Sequence, residues 1–395
     1  MSSLSDEFKE KLQNYAKGNL SPEEKAEFEL ELKKLEEYQV FLEAELEDNG
    51  PQETQKKPDN PEGFTDKKEA WIIKKAKWKA RVQNALTALS IVFIGTILCS
   101  VITAIYYSTG NPSKIEVYRD VVRSTIAITE PNVQLRSGGT SVKPFFNMEL
   151  KGELQKKIGS DEVNAGEIEM SFLFSQASFP NTNKLLDSTK TWPFVYPTST
   201  NQLNSDWEKL EKLPEGTVAE AYLSFDKFYP TDQVLQKFKG RDMRPVWFVV
   251  DTGFDDVTTL ATASFIGFPY EPLWHHDDMT VTSHTEQKGW LFGKTVLESA
   301  GSPSVEEYGS AKLRNENFLK TLELIKKYEK IANRIAPLGN LKIAERIKYL
   351  NSHGVKMYGI VVTGPSKEIL KLQKESWVAG VYLGEVRLWN WERRQ

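Results

Sequence analysis

The sequence predicts a membrane protein in three parts: a short α-helical cytoplasmic arm, one transmembrane helix, and an α+β extracytoplasmic region. That last region is β-rich next to the membrane and ends in an α+β domain. Three observations predict this. First, the 23 residues of Ala85–Tyr107 carry no charge, and Gly95 is their most severe helix breaker. At 1.5 Å per residue such a run reaches about 34 Å, enough for a hydrocarbon core of about 30 Å. Second, charge is asymmetric around the run. Lys67, Lys68, Lys74, Lys75, Lys77, Lys79 and Arg81 precede it, whereas Lys114 and Arg119 follow it beside Glu116 and Asp120. That bias places the N-terminus in the cytoplasm. Third, hydrophobic periodicity is helical before the run and mixes strand with helix after it. A cleaved signal peptide does not fit, because 84 residues precede the apolar run. A buried core helix of this length would show a polar stripe, which the run lacks. Trp71 and Trp78 on one side, and Tyr106 and Tyr107 on the other, suit the two membrane interfaces.

The expected divisions are a helical arm over residues 1–48, a tether and basic collar over 49–84, the span over 85–107, a β-rich part over 108–206 and an α+β domain over 207–395. The net charge of −4 hides a partition among them. Residues 1–66 hold 18 acidic against 8 basic side chains, residues 67–84 hold 7 basic ones against Glu69, and the remainder balances. An arm at −10 suits a basic partner. A collar at +6 beside a span suits membrane lipids with anionic headgroups better than nucleic acid, so no direct nucleic-acid contact is expected. The one cysteine, Cys99, lies in the span as an apolar residue, so residues 108–395 fold on core packing without a disulfide. That usage points to a bacterial membrane surface.

In chain order, Phe8, Leu12 and Tyr15 recur at helical spacing over Ser5–Lys17, and Gly18 stands at the C-terminal cap. A second helix starts at Ser21, with Pro22 at its first position and Glu24 completing a capping box, and runs to about Glu47. Phe28, Leu32, Leu35, Tyr38 and Leu42 form its apolar stripe. Two such helices cannot bury both stripes alone, which leaves a binding face or a self-associating coiled coil. Asn49–Lys68 reads as a flexible tether. Within the span, Thr96, Ser100 and Ala104 make a small-residue stripe on which a partner membrane protein could dock.

Beyond the span, Ile115–Arg123 is expected as an interfacial helix, and Thr125–Ile128, Val142–Phe146, Glu149–Leu154 and Glu167–Phe174 as short strands. Pro180–Asp206 reads as a loop or junction. The order then becomes strand Val218–Phe225, helix Thr231–Lys239, strand Val246–Asp251, an irregular stretch Thr252–Gly301, and helices Arg314–Ile331 and Ile343–Asn351. Strand Val355–Val362, helix Pro365–Lys374 and strand Gly380–Leu388 close the chain, which suits a sheet packed against helices.

Catalytic patterns are sparse, and neither a cofactor nor a metal is expected. His275, His276, Asp277, Asp278 and His284 cluster in the irregular stretch, but no HExxH spacing accompanies them and an exposed polar loop explains the same letters. Ser224 and Lys227 match Ser-x-x-Lys on an expected strand, without the partner motifs of that chemistry. Val362-Thr-Gly-Pro-Ser-Lys-Glu368 lacks Walker spacing and reads as a strand-to-helix turn.

Leu213-Pro-Glu-Gly-Thr-Val-Ala-Glu-Ala-Tyr-Leu-Ser-Phe-Asp226, Tyr229-Pro-Thr231, Lys237-Phe-Lys-Gly240, Val361-Val-Thr-Gly-Pro365 with Lys367-Glu-Ile369, and Gly384-Glu-Val386 with Leu388-Trp-Asn-Trp391 resemble a C-terminal sigma-factor-regulator domain. Pro131-Asn-Val133 resembles its N-terminal companion. Tyr15-Ala-Lys-Gly18, Glu29-Leu-Glu-Leu32, Lys34-Leu-Glu36 and Tyr38-Gln39 are similar to the cytoplasmic start of the same proteins. The whole resembles the YhdL-like anti-sigma factors of Gram-positive bacteria. The resemblance implies a non-enzymatic regulator whose arm holds an extracytoplasmic-function sigma factor, sigma-M-like, at the membrane until cell-envelope stress releases it, with a small membrane protein as companion. Phe8, Leu12, Tyr15, Phe28, Leu32, Leu35, Tyr38 and Leu42 are then the expected sigma-binding residues. Thr252–Gly301 is longer than the family pattern suggests. Two alternatives remain open: a membrane-anchored cell-envelope enzyme, and a division or wall scaffold with a coiled-coil arm.

Overall fold

A helix after the span, Lys114–Thr129 (α2), forms a wall shared by two antiparallel sheets, and the architecture follows from it. The structure, a computed structural model, describes residues 66–184, 193–198, 205–254, 265–288 and 294–389, with residues 24–26, 28–30, 33, 34, 37 and 40 of the arm, which are helical. Residues 1–83 and 84–395 are separate compact units. Most of the expected arm helices and all of residues 49–65 lie outside the described residues.

Helix α1 spans Asp66–Ser108, so the basic collar and the apolar run form one helical element. Its Ala70–Ser108 stretch is long and apolar enough to cross a membrane. Leu86, Leu89, Ile91, Val92, Phe93 and Ile94 face outward. The hydroxyls of Ser90, Thr96, Ser100 and Thr103 each donate to the carbonyl four residues earlier, which satisfies their polarity within the helix itself.

Helix α2 starts at a capping box. Ser113 Oγ accepts from the Glu116 N–H, and the Glu116 carboxylate accepts from the Ser113 N–H at 2.8 Å. Two expectations are corrected here. Ile115–Arg123 is not an interfacial helix, since Val121 and Val122 are fully buried, and Thr125–Ile128 is the last turn of α2 rather than a strand. Apolar side chains point from α2 in opposite directions, Val121, Val122 and Ile126 into one core and Ile128 into the other. That all-round burial erases helical periodicity, and the β-branched residues Thr125, Ile126 and Ile128 then imitate a strand.

The first sheet is an antiparallel meander of β1 (Val133–Lys143), β2 (Asn147–Ile158) and β3 (Asp161–Leu173). The short strands β4 (Gln176–Ala177) and β5 (Asn181–Lys184) both pair with β3. Period-2 alternation turns Met148, Leu150, Leu154, Ile168, Met170 and Phe172 onto α2 and leaves Lys151, Glu167 and Leu173 outside. β1 begins nine residues before the expected Val142. A bulge between Leu135 and Gly138 breaks its alternation, which is why the pattern is weak there.

The second sheet has the order β12-β6-β11-β7-β8, from β6 (Thr217–Pro230), β7 (Arg244–Val250), β8 (Gly267–Pro269), β11 (Lys356–Pro365) and β12 (Val378–Leu388). One face packs Leu223, Phe248, Ile360 and Val362 against helices α4 (Thr231–Phe238), α5 (Ala311–Lys327), α6 (Glu329–Ile335) and α7 (Ile343–His353), with α3 (Trp207–Lys212) and α8 (Ser366–Leu370) at its margin. The opposite face carries Tyr222, Trp247, Val249, Tyr358 and Val361 under Phe194. Thr252–Gly301 is more regular than expected: beyond β8 it contains a hairpin of β9 (Thr280–Lys288) and β10 (Lys294–Gly301).

Candidate functional site

Two junctions hold the elements together, one between α1 and the first sheet and one between the two sheets. At the first, the end of α1 is seated in the first sheet. Tyr107 is fully buried, and its hydroxyl lies 2.8 Å from the carbonyl oxygen of Phe146, 3.1 Å from that of Phe174 and 3.2 Å from that of Phe172. With one proton it donates to one of them at a time. The Tyr106 ring meets Phe146 and Phe174 edge-on at 5.7 Å, and these two stack at 4.3 Å. Each such pair contributes about 0.5–1.5 kcal/mol beyond area burial. Lys114 Nζ donates to the Tyr106 carbonyl at 3.0 Å, satisfying a helix-end acceptor. Higher on α1, Thr103 Oγ1 accepts from the Phe146 N–H and Cys99 Sγ from the Phe145 N–H, so the β1–β2 turn runs alongside the helix. Tyr107 was expected at a lipid interface, and the structure corrects this: it is a core residue of the first sheet.

The second junction is polar and lies between the sheets. Glu220 on β6 is fully buried, and its carboxylate accepts from Asn132 Nδ2 at 2.8 Å and from Lys156 Nζ at 2.9 Å, with Lys156 almost as buried. Asn132, held at φ 57° in the turn between α2 and β1, also exchanges hydrogen bonds with the backbone of Lys157. The Glu385 N–H donates weakly to Glu220 at 3.4 Å. Beside this knot, Thr363 Oγ1 donates to the Ala219 carbonyl and accepts from the Gly159 N–H of the first sheet. Trp247 Nε1 donates to the Ala127 carbonyl at 2.7 Å and joins β7 to α2. Paired and saturated in this way, a buried charge sets the orientation of one sheet on the other more than it stabilises either. Segments read separately in the sequence, Pro131–Val133, Leu213–Asp226, Val361–Pro365 and Gly384–Val386, thus converge on one place. Their residue types carried no hint of the pairing, because Asn132 and Glu220 stand 88 residues apart.

Thr96 and Ser100 are half-covered and Ala104 is exposed on α1. Of the arm residues, Phe28 is described and buried, while Phe8, Leu12, Tyr15, Leu32, Leu35, Tyr38 and Leu42 lie outside the described residues. His275 is not in an exposed loop: it is buried, with Nε2 2.8 Å from Ser124 Oγ on α2. Burial pushes its pKa below the usual histidine value against the pull of Asp120 and Asp278, and burial raises that of Asp120. His276 is exposed, and the His284 side chain is outside the described residues. Among the described residues no group of three or more His, Cys, Asp and Glu side chains is placed to hold a metal ion. Ser224 is buried and accepts from the Val195 N–H, and Ser366 pairs with Thr217, so neither serine is presented as a nucleophile.

Comparison with known proteins accords with this construction. Residues 71–163 match the family described as sigma factor regulator N-terminal, and residues 210–385 match sigma factor regulator C-terminal. The first match takes in most of α1, all of α2 and Asn132, and the second holds Glu220, Thr363 and Trp247. The "Probable anti-sigma-M factor YhdL" of Bacillus subtilis (strain 168) is 30% identical over 394 residues, covering 98% of this chain and 100% of that protein. No solved structure matches. Related along its whole length to that protein, and carrying a helix able to span a membrane within the first of its two regulator regions, the chain belongs to the YhdL-like family of membrane anti-sigma factors.

Proposed function

We propose that this anti-sigma factor holds a sigma-M-like extracytoplasmic-function sigma factor at the cytoplasmic face of the membrane and releases it when the envelope is stressed. The observation that carries the reading is the full-length kinship to a protein named for sigma-M, together with an N-terminal arm at −10. Acidic charge steers the arm to the basic surfaces with which a sigma factor meets DNA and polymerase. Phe8, Leu12, Tyr15, Phe28, Leu32, Leu35, Tyr38 and Leu42 then bury in a groove of the partner and dominate the affinity, because exposed ion pairs contribute little. The basic collar supports a cytoplasmic N-terminus, which leaves both sheets outside. The regulatory family supports a non-catalytic role.

Signal reaches the arm through α1. The buried Tyr107 makes the sheets and the outer end of the helix one body, so a ligand or strain that moves the first sheet moves the helix with it. A small membrane protein docks along Thr96, Ser100 and Ala104, and release proceeds by lateral assembly or cleavage rather than a piston stroke. Co-purification from membranes of the producing cell tests the partner: the Leu35→Asp/Leu42→Asp full chain is expected to lose sigma capture while remaining in the membrane. Undiminished capture would overturn the groove assignment. Ser100→Ile is expected to lose the small membrane protein and keep the sigma factor.

A further inference from the structure

We infer that the sheet region carries an aromatic foot, formed by Phe145 in the β1–β2 turn and Leu173–Phe174 after β3, which inserts into the acyl layer of the bilayer beside α1. The inference rests on α1 crossing a membrane and concerns a second, non-helical contact with the lipid. Its basis is depth. The Phe145 N–H bonds Cys99, and Cys99 lies eight residues before Tyr107, so the turn descends about 12 Å along the apolar run. Between that level and Tyr107, α1 still presents Val101, Ile102 and Ile105 outward, each more than half exposed, as the lipid-facing side of a spanning helix does. A turn flanking those residues shares their surroundings. Its own side chains suit that place: Phe145 is 64% exposed, Leu173 51% and Phe174 43%, a concentration of bare apolar surface that an aqueous face of a folded domain does not tolerate.

The backbone in the foot is also matched to lipid. The Phe145 and Phe146 N–H groups are satisfied by Cys99 and Thr103, and the carbonyls of Phe146 and Phe174 face the Tyr107 hydroxyl. The Phe174 N–H donates to the Phe146 carbonyl. Non-helical backbone is tolerated at membrane depth when it is paired in this way against protein. The cations next to the foot are partnered, Lys143 by Glu149 and Lys114 by the Tyr106 ring, and their long stems let them reach towards the headgroups. Lipid is therefore the occupant, continuous with the cover of the helix itself.

The test uses the full chain in phosphatidylcholine–phosphatidylglycerol vesicles, with Cys99→Ser retaining an acceptor for the Phe145 N–H. An environment-sensitive fluorophore is placed by F145C or, independently, by L173C. L89C on the exposed face of α1 serves as the lipid reference. S160C, in the β2–β3 turn at the far end of the sheet, serves as the water reference. Labels at F145C and L173C are expected to be blue-shifted, quenched by acyl-chain spin labels to the extent seen at L89C, and shielded from iodide, unlike S160C. Iodide quenching at both positions equal to that at S160C, with L89C still lipid-quenched, would overturn the foot while leaving the membrane helix standing. Loss of lipid quenching at L89C as well would overturn the membrane-spanning reading on which the foot depends. A thermal midpoint within that of the C99S parent shows that the labelled chains are folded.

Discussion

The two junctions solve the same problem, holding one element at a fixed angle to another, with opposite chemistry. The Tyr107 junction is aromatic and almost wholly apolar, with a single hydroxyl aimed at a cluster of carbonyls. The Glu220 junction is a buried ion pair saturated by an asparagine and a backbone N–H. Apolar packing has a depth of binding but little direction, whereas the charged knot contributes little net stability and tolerates only one arrangement. The difference teaches that the helix is held by affinity and the sheets are held by geometry.

Substitutions can break that contrast. Glu220→Ala strands Lys156 in the core and is expected to cost about 3–5 kcal/mol, read as a fall in the unfolding midpoint of the detergent-solubilised chain. Replacing the pair together, Lys156→Met with Glu220→Leu, should recover most of that loss, because Asn132 keeps its bonds to Lys157. A double variant as unstable as the single would show that the knot stabilises by attraction rather than by selecting an arrangement. Tyr107→Ala removes a fully buried ring and is expected to cost about 3 kcal/mol, with no second substitution able to compensate. Tyr107→Phe keeps the ring and should cost about 1 kcal/mol, the net worth of one hydrogen bond; a cost equal to that of Tyr107→Ala would make the junction polar after all.

The smallest effect is in pH. The pKa of His275 is depressed by burial, so below the ordinary value of about 6.5 the unfolded chain takes up a proton that the folded chain resists. Its contribution is therefore present above that value and declines as pH falls towards the lower, folded one. Asp120, raised by burial, works in the opposite sense: its contribution is present at acid pH and is lost as pH rises through its folded value. His275→Gln should flatten the decline below pH 6.5 in a series of thermal midpoints, without moving the midpoint at neutral pH by more than the loss of its bond to Ser124.

The contrast also explains what could be read from the sequence. The Tyr107 junction announced itself as hydropathy: an uninterrupted apolar run ending in two tyrosines is visible in one dimension, although which of the two would enter the core was not. Strands β6, β7, β11 and β12 were legible for the same reason, since runs such as Val246–Val250 bury both faces. The knot was invisible, because Asn132, Lys156 and Glu220 look like turn and surface residues until three distant segments meet. The last turn of α2 was misread because burial on every side removes the period that distinguishes a helix from a strand.

Helix α6 has a further consequence. Ile331 lies in the core of the first sheet, with Tyr328 and Ile335 packed at its edge, although that sheet is complete as a set of strands by Lys184. A chain emerges from the ribosome N-terminus first, so the meander exists for about 150 residues of further synthesis with one wall of its core missing. Truncations before α6 should therefore expose Tyr118 and Phe172 and feed quality control rather than yield a smaller working regulator. The fold closes late, and membrane insertion of α1 precedes the moment at which its anchor can set.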